Sequence, residues 1–78
     1  MNKKINQVVK EIKKRENVVI RLSRGYLGAH KYVEIRQYVM DKSGEYRPTQ
    51  KGFTFNPELL DGFIEGFTEL KKSFDGVS

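Results

Sequence analysis

Cationic and aromatic side chains recur at short intervals through the middle of the chain. The cations are Arg21, Arg24, Lys31, Arg36, Arg47 and Lys51, and the rings are Tyr26, Tyr32, Tyr38, Tyr46 and Phe53. Cations can neutralise the phosphates of an unpaired strand, and each base stacked on a ring contributes about 1 to 3 kcal/mol. The pattern therefore predicts contact with single-stranded nucleic acid. The alternative, that the rings form cross-strand pairs, is favoured for Tyr32, Phe53 and Phe55, whereas Tyr26 is predicted to face the ligand.

Residues that could support catalysis or hold a metal are sparse. His30 is the only histidine and cysteine is absent, so neither a two-histidine metal site nor thiolate chemistry is available. Glu34 and Arg36 fall on one side of a predicted strand and can pair with each other. The glycines of RGYLGAHK have no helix after them, which a phosphate-binding loop requires. We therefore expect no enzyme activity, no cofactor and no metal.

The size and charge of the chain indicate one small basic domain. The chain has 78 residues, a net charge of +5 and a pI near 9.6, which suits an anionic partner but is also common for solubility alone. The absence of cysteine fits a reducing compartment. Neither a signal peptide nor an apolar run of membrane-spanning length is evident. We expect a soluble, cytoplasmic protein with no membrane partner and no small-molecule substrate.

The first residues have the spacing of an amphipathic helix. Ile5, Val8, Val9 and Ile12 lie at i, i+3, i+4 and i+7, with lysines between them. The spacing predicts an N-terminal helix within residues 1–16. Because its apolar side carries no aromatic ring, docking on the rest of the fold is favoured over binding to a membrane surface.

From residue 17 onward, alternation with a period of two predicts strands. Strands are expected at residues 17–23, 31–40, 45–47 and 51–55, with a loop at 24–30 that contains two glycines, a turn at 41–44 and a break at 48–50. In the strand at 31–40, Arg36 and Tyr38 face one side while Val33 and Ile35 face the other. This strand therefore carries large side chains on both faces, and a single-layer sheet covered by one or two helices could not bury both.

A helix is predicted from Pro57 to about Phe74. Asn56 can cap its first amides, and Pro57 suits the first helical position. Its apolar residues, Leu59, Leu60, Phe63, Ile64, Phe67, Leu70 and Phe74, cover more than half of its circumference. Such a surplus predicts a homodimer interface at Leu60, Phe63, Ile64 and Phe67, with Gly62 and Gly66 allowing close approach. Alternatively, the N-terminal helix covers the surplus.

The segment VEIRQYVMDKSGEYRPTQKGFTFNPELL resembles the single-stranded DNA-binding domain of the transcriptional coactivator positive cofactor four family, in particular its bacterial YdbC-type branch. In that family a strand of the form IDIREYWMD, a turn, a basic KG hairpin and an Asn-Pro-Glu helix start follow in the same order. The resemblance spans residues 17–74. It implies a four-stranded curved antiparallel sheet followed by one long helix, dimerisation through the helices, and single-stranded DNA binding.

The resemblance also implies individual binding residues. The strand arginine of the family falls on Arg36, the basic residue before its turn proline on Arg47, and the lysine of its KG pair on Lys51. Departures are Val39 in place of a base-stacking tryptophan, Gln50 in place of a hairpin arginine, and a longer loop at residues 24–31, whose aromatic is aligned with Tyr26.

Together these observations predict an α+β homodimer that binds single-stranded DNA largely without sequence preference, in transcription regulation or DNA maintenance. The chain would comprise an N-terminal helix at 1–16, a binding and dimerising domain at 17–75 and a tail at 76–78. The predicted binding residues are Arg21, Arg24, Tyr26, Lys31, Arg36, Tyr38, Arg47 and Lys51. An RNA-binding regulator or chaperone that uses the same grooves stays open, as does a protein-interaction module.

Overall fold

The computed structural model describes residues 4–75 as one antiparallel sheet followed by a helix. The strands are β1 (Lys4–Arg15), β2 (Val18–Leu27), β3 (His30–Met40) and β4 (Tyr46–Phe55), paired in the order β1-β2-β3-β4. A single 3-10 turn, Pro57–Leu59, leads into helix α1 (Leu60–Asp75). The predicted four-stranded antiparallel sheet with a C-terminal helix is confirmed. The predicted tail at 76–78 and the first three residues of the predicted N-terminal helix lie outside the described residues.

The predicted N-terminal helix is wrong, because residues 4–15 form strand β1. Ile5 pairs with Tyr26 of β2 and Ile12 pairs with Ile20, and the register shifts between Val8 and Lys10. Two residues seven apart would lie on opposite faces of a regular strand. The extra residue at this bulge returns Ile12 to the face of Ile5, so a bulged strand shows the apolar spacing expected of a helix.

The loop predicted at residues 24–30 is also wrong, because β2 and β3 continue through it to a tight turn after Leu27. Only Gly28, with a φ of 62°, adopts the left-handed conformation that such a turn requires. Gly25 serves a different purpose. It pairs with Tyr32, and a Cβ at Gly25 would overlap the Tyr32 ring. The glycine thus marks a close approach within the sheet and not a turn.

The predicted break at residues 48–50 is an irregularity inside a continuous β4. Arg36 pairs with Gly52 but Tyr38 pairs with Pro48, so three residues of β4 bulge opposite Gln37. The Thr49 hydroxyl donates to the Gln37 carbonyl at 2.8 Å and fixes the bulge. A proline is tolerated there because β4 is an edge strand and β3 lies on one side of it only.

The helix predicted from Pro57 starts with the 3-10 turn at Pro57–Leu59, and α1, which begins at Leu60, lies across one face of the sheet. The Asn56 side chain accepts from the Glu58 amide at 2.9 Å, which caps the first turn. Phe63 of α1 contacts Phe55 of β4 with ring centroids 4.5 Å apart. We call this side of the sheet the apolar face; it carries Ile12, Ile20, Leu22, Val33, Ile35 and Phe55. An open cleft of about 690 Å³ separates it from α1.

The described residues bury little apolar surface. Among them, only Val18 and Val19 are buried hydrophobic residues, and α1 contains no buried residue. Phe67 and Leu70 of α1 are each 56% exposed. None of the helices in residues 4–75 is long and apolar enough to cross a membrane.

Candidate nucleic-acid interface

The face of the sheet opposite α1 collects charged and aromatic side chains at alternate positions of β2 and β3. Arg21 of β2 lies opposite Arg36 of β3, and Glu34 and Tyr38 follow on the same side of β3. We call this the polar face. Strand alternation explains it, because Arg21 follows the opposite side of β2 from Ile20 and Leu22, and Glu34, Arg36 and Tyr38 follow the opposite side of β3 from Val33 and Ile35. The prediction that Arg36 and Tyr38 lie on the same side of β3 is confirmed.

Arg21 is held between an acid and two rings. Its Nε donates to Glu11 Oε1 of β1 at 2.8 Å. Its Cζ atom lies 4.6 Å from the centroid of the Tyr38 ring and 5.5 Å from that of Tyr46. Arrangements of this kind contribute about 0.5 to 2 kcal/mol per cation and ring. The Tyr38 ring therefore positions a cation, a role different from the open stacking surface that its sequence position suggested.

Arg36 is fixed by two hydrogen bonds in the middle of the face. Its Nε donates to Glu34 Oε2 at 2.9 Å, and its Nη1 donates to the Thr49 carbonyl in the β4 bulge at 2.8 Å. The bulge thus sets the orientation of the guanidinium. With the side chain of Arg36 22% exposed and that of Glu34 14% exposed, the pair is largely shielded but still open to a ligand.

A polar groove of about 620 Å³ lies above this pair. We call it the central groove; its lining comprises Asn6, Glu34, Arg36, Tyr38, Pro48, Thr49 and Gln50. Residues of β1, β3 and the β4 bulge therefore enclose a polar depression around the Glu34–Arg36 pair.

Three predicted binding residues lie away from this face. Arg24 and Tyr26 follow Leu22 at alternate positions of β2, and Tyr26 pairs with Lys31. The Arg24 Nη2 donates to the Tyr26 hydroxyl at 2.6 Å, and Arg24 lines the cleft under α1. The sheet therefore separates Arg24, Tyr26 and Lys31 from the group formed by Arg21, Arg36 and Tyr38.

The two predicted residues of β4 lie at its edge and in its bulge. Arg47 bridges Asp41 at 2.8 Å and Glu45 at 3.2 Å, with 63% of its side chain exposed. The Arg47 guanidinium, followed by the Ser43 hydroxyl and the Glu45 amide, holds the pKa of Asp41 well below its usual range. Lys51 lies in the bulge with an exposed side chain, and its amide donates to the Thr49 hydroxyl at 3.1 Å.

Sequence reasoning missed two residues that shape the site. Glu11 pairs with Arg21 across β1 and β2, and Asn6 lines the central groove. Both lie in the segment predicted to be a helix, so neither was placed beside the sheet. No local signal could have placed them, because residues 10–15 are charged at every position except Ile12.

Comparison with known families supplies the context for this arrangement. The family described as Transcriptional Coactivator p15 (PC4) matches residues 10–66, well over half of the chain. The chain belongs to the PC4 family. The family predicted from the sequence is thereby confirmed. No curated protein sequence gives a significant match.

Solved structures of PC4 homologues share the fold. The chain is similar to BPSL1147, a PC4 homolog from Burkholderia pseudomallei, with 29% identity, a TM-score of 0.80, and 85% of this chain and 89% of that chain covered. A second crystal form of BPSL1147 gives 28% identity and a TM-score of 0.79, with 86% and 98% covered. The bacteriophage T5 homolog of PC4 has the same fold at 22% identity, with a TM-score of 0.68 and 95% and 81% covered.

Proposed function

We propose that the chain binds single-stranded DNA on the polar face of its sheet, without catalysing a reaction. The observation that carries the proposal is the polar face of a PC4 family member, on which Arg36 and Tyr38 line the central groove and Arg21 lies against the Tyr38 ring. Guanidinium groups bind phosphates, and a groove beside them can admit an unpaired nucleotide.

Single strands are favoured over duplex DNA by the elements that are present. A helix that enters a major groove carries basic side chains, but α1 has four acidic and two basic residues in LDGFIEGFTELKKSFD. The cations of the polar face lie on strands instead, and one of them, Arg36, lines a depression of about 620 Å³. Such a depression suits one splayed nucleotide better than the outside of a duplex.

The arginines exchange partners in the proposed mechanism. Outside the central groove, Arg21 and Arg47 each form an ion pair with a carboxylate in the free protein. A phosphate replaces or shares these carboxylates, and each phosphate neutralised releases counterions. For each phosphate contact, the logarithm of the association constant for a single strand then falls by about 0.7 per tenfold rise in salt concentration.

A homodimer formed through α1 completes the proposal. The proposed interface residues are Leu60, Phe63, Ile64 and Phe67. All of them except the half-buried Phe63 are exposed on α1. The apolar cleft under α1 also supports a second copy, because so much exposed apolar surface is unusual for a monomer. Two polar faces in one dimer would bind one strand with higher avidity.

The process that uses this binding is proposed to be transcription regulation or DNA maintenance. The matching family is one of transcriptional coactivators, and the T5 homolog is described as implicated in recombination-dependent DNA replication. RNA binding is the second candidate, because phosphate contacts and stacking occur with both polymers.

The test is a titration of labelled oligo-dT, RNA and duplex DNA of equal length at two salt concentrations. We expect oligo-dT to bind more tightly than duplex, and Arg21→Ala to weaken binding and reduce the salt slope. Lys71→Ala on α1 is the matched control, because it removes a positive charge outside the polar face. Tighter binding to duplex, or equal losses for both variants, would refute the proposal.

A further inference from the structure

The central groove contains a carboxylate that a binder of phosphate alone does not need. Glu34 Oε2 accepts from Arg36 Nε at 2.9 Å, while Oε1 lies 3.5 Å from Asn6 Nδ2, at the outer limit of a hydrogen bond. A carboxylate oxygen can accept more than one donor. Glu34 Oε1 thus retains acceptor capacity in a groove that a ligand can enter.

A hydrogen-bond donor lies beside this acceptor. Arg36 uses Nε toward Glu34 and Nη1 toward the Thr49 carbonyl. Among residues 4–75, no group accepts a hydrogen bond from Arg36 Nη2. The groove therefore presents an acceptor and a donor side by side, both held in place by the β4 bulge.

This pair suits the edge of a nucleobase better than the DNA backbone. The phosphates and deoxyriboses within a DNA strand offer acceptors only, and a phosphate beside Glu34 would be repelled. An unpaired base, in contrast, exposes N–H donors together with acceptors on its Watson–Crick edge. The ligand atoms that face Glu34 are therefore base atoms.

Guanine matches the pair most fully. Its N1–H and its N2 amino group are adjacent donors for one carboxylate, and its O6 accepts from a guanidinium. Adenine, cytosine and thymine each present one donor group on this edge. We propose that the central groove is a guanine-preferring base subsite in which Glu34 accepts from N1–H and N2–H and Arg36 Nη2 donates to O6. This inference rests on the proposed binding of single strands.

The test compares alternating d(TG) repeats, d(TI) repeats with hypoxanthine in place of guanine, and oligo-dT of equal length. We expect d(TG) to bind about fivefold or more tightly than oligo-dT, the size of discrimination that one bidentate contact to a base provides. The d(TI) repeats fall between the two, because hypoxanthine keeps N1–H and O6 but lacks the N2 amino group.

The variant Glu34→Gln assigns the preference to Glu34. We expect it to reduce the ratio of d(TG) to oligo-dT affinity to about twofold or less, since an amide replaces the two-oxygen acceptor. The ratio is the relevant quantity, because removing a negative charge raises the affinity for every strand. Glu34→Asp, which keeps the charge but withdraws the oxygens, should lower the ratio too, and it carries the test if Glu34→Gln does not fold.

Glu69→Gln is the matched control. It removes the same charge from α1, outside the polar face and the central groove, so the ratio should stay at the wild-type value. Equal affinities of the wild-type protein for d(TG) and oligo-dT, or a ratio that survives Glu34→Gln, would overturn the subsite. Failure of every single strand to bind would instead refute the proposed function.

Discussion

At the residue scale, ion pairs define the candidate site as much as free cations do. Arg21, Arg36 and Arg47 each contact a carboxylate, and Arg21 also contacts two rings. Their guanidinium planes are therefore oriented before a ligand arrives, which lowers the entropy lost on binding. The cost is competition from the carboxylates, so affinity depends on the acids as well as on the arginines.

Tyr38 should act on DNA through Arg21. Tyr38→Leu removes the ring that lies 4.6 Å from the Arg21 Cζ, so we expect single-strand affinity to fall by about 0.5 to 2 kcal/mol. Tyr38→Phe keeps the ring and is the control. In an Arg21→Ala background, Tyr38→Leu should have no further effect in a double-mutant cycle of binding titrations. A full additional loss in that background would mean that Tyr38 stacks on a base independently.

The turn before β4 should depend on pH through Asp41. The pKa of Asp41 is lowered in the folded protein, chiefly by Arg47. Its ionised form therefore stabilises the fold at every pH above its unfolded pKa of about 3.9, and this stabilisation is lost as pH falls through the lower folded pKa.

Chemical denaturation of wild type and Asp41→Asn measures this effect. We expect the difference in their free energies of unfolding to be constant from neutral pH to about pH 5 and to shrink in more acidic solution. A difference that disappears near pH 6 would contradict the assignment.

At the element scale, regular alternation was predictable and its interruptions were not. The strand at 31–40 and the Asn56 cap were identified correctly because their local patterns agree with the final structure. The segment Lys4–Arg15 was misread because one bulge gave its apolar residues helical spacing. What decides between the two structures is pairing with β2, a long-range contact that local periodicity does not contain.

Because local patterns do not contain long-range pairing, the sequence grouped residues that the structure places on opposite faces of the sheet. Arg36 and Tyr38 were placed together because they alternate within one strand. Arg24 and Tyr26 were assigned to a loop because Gly25 looked like a turn residue, whereas Gly25 makes room for Tyr32. With β2 extended to Leu27, alternation alone puts Arg24 on the side opposite Arg21.

Gly52 should be essential to the pairing of β3 and β4. A Cβ at Gly52 would lie 2.6 Å from the Ile35 carbonyl oxygen and 2.8 Å from the Arg36 Cα. Because both are backbone atoms that cannot rotate away, we expect Gly52→Ala to destabilise the fold by about 1 to 3 kcal/mol. Thermal and chemical unfolding measure this loss. An unchanged midpoint would show that the sheet can spread at Gly52 and would contradict the described register.

At the scale of the whole molecule, a single chain does not bury the apolar surface of α1. Phe63 contacts the sheet, whereas Ile64 and Phe67 are more than half exposed. The N-terminal segment, which was considered as a cover for this surface, is a strand of the sheet. A second copy is therefore the cover that we propose.

Phe67→Asp should yield monomers or unfolded chain, because the new charge would be buried in the proposed helix interface. Thr68→Asp is the matched control: it adds the same charge one residue away, where the apolar stripe of α1 is absent. Sedimentation at micromolar concentration measures both. A folded monomer for the wild-type chain would show that α1 does not dimerise.

The central claim is that single-stranded DNA contacts the polar face and not the face that α1 covers. Side-chain NMR of the Nε–Hε groups tests it directly, because Arg21 and Arg36 lie on the polar face while Arg24 lies on the other. On saturation with oligo-dT, we predict large shifts for Arg21 and Arg36 and an unchanged Arg24 signal. A shift of Arg24 with Arg21 and Arg36 unchanged would contradict the claim.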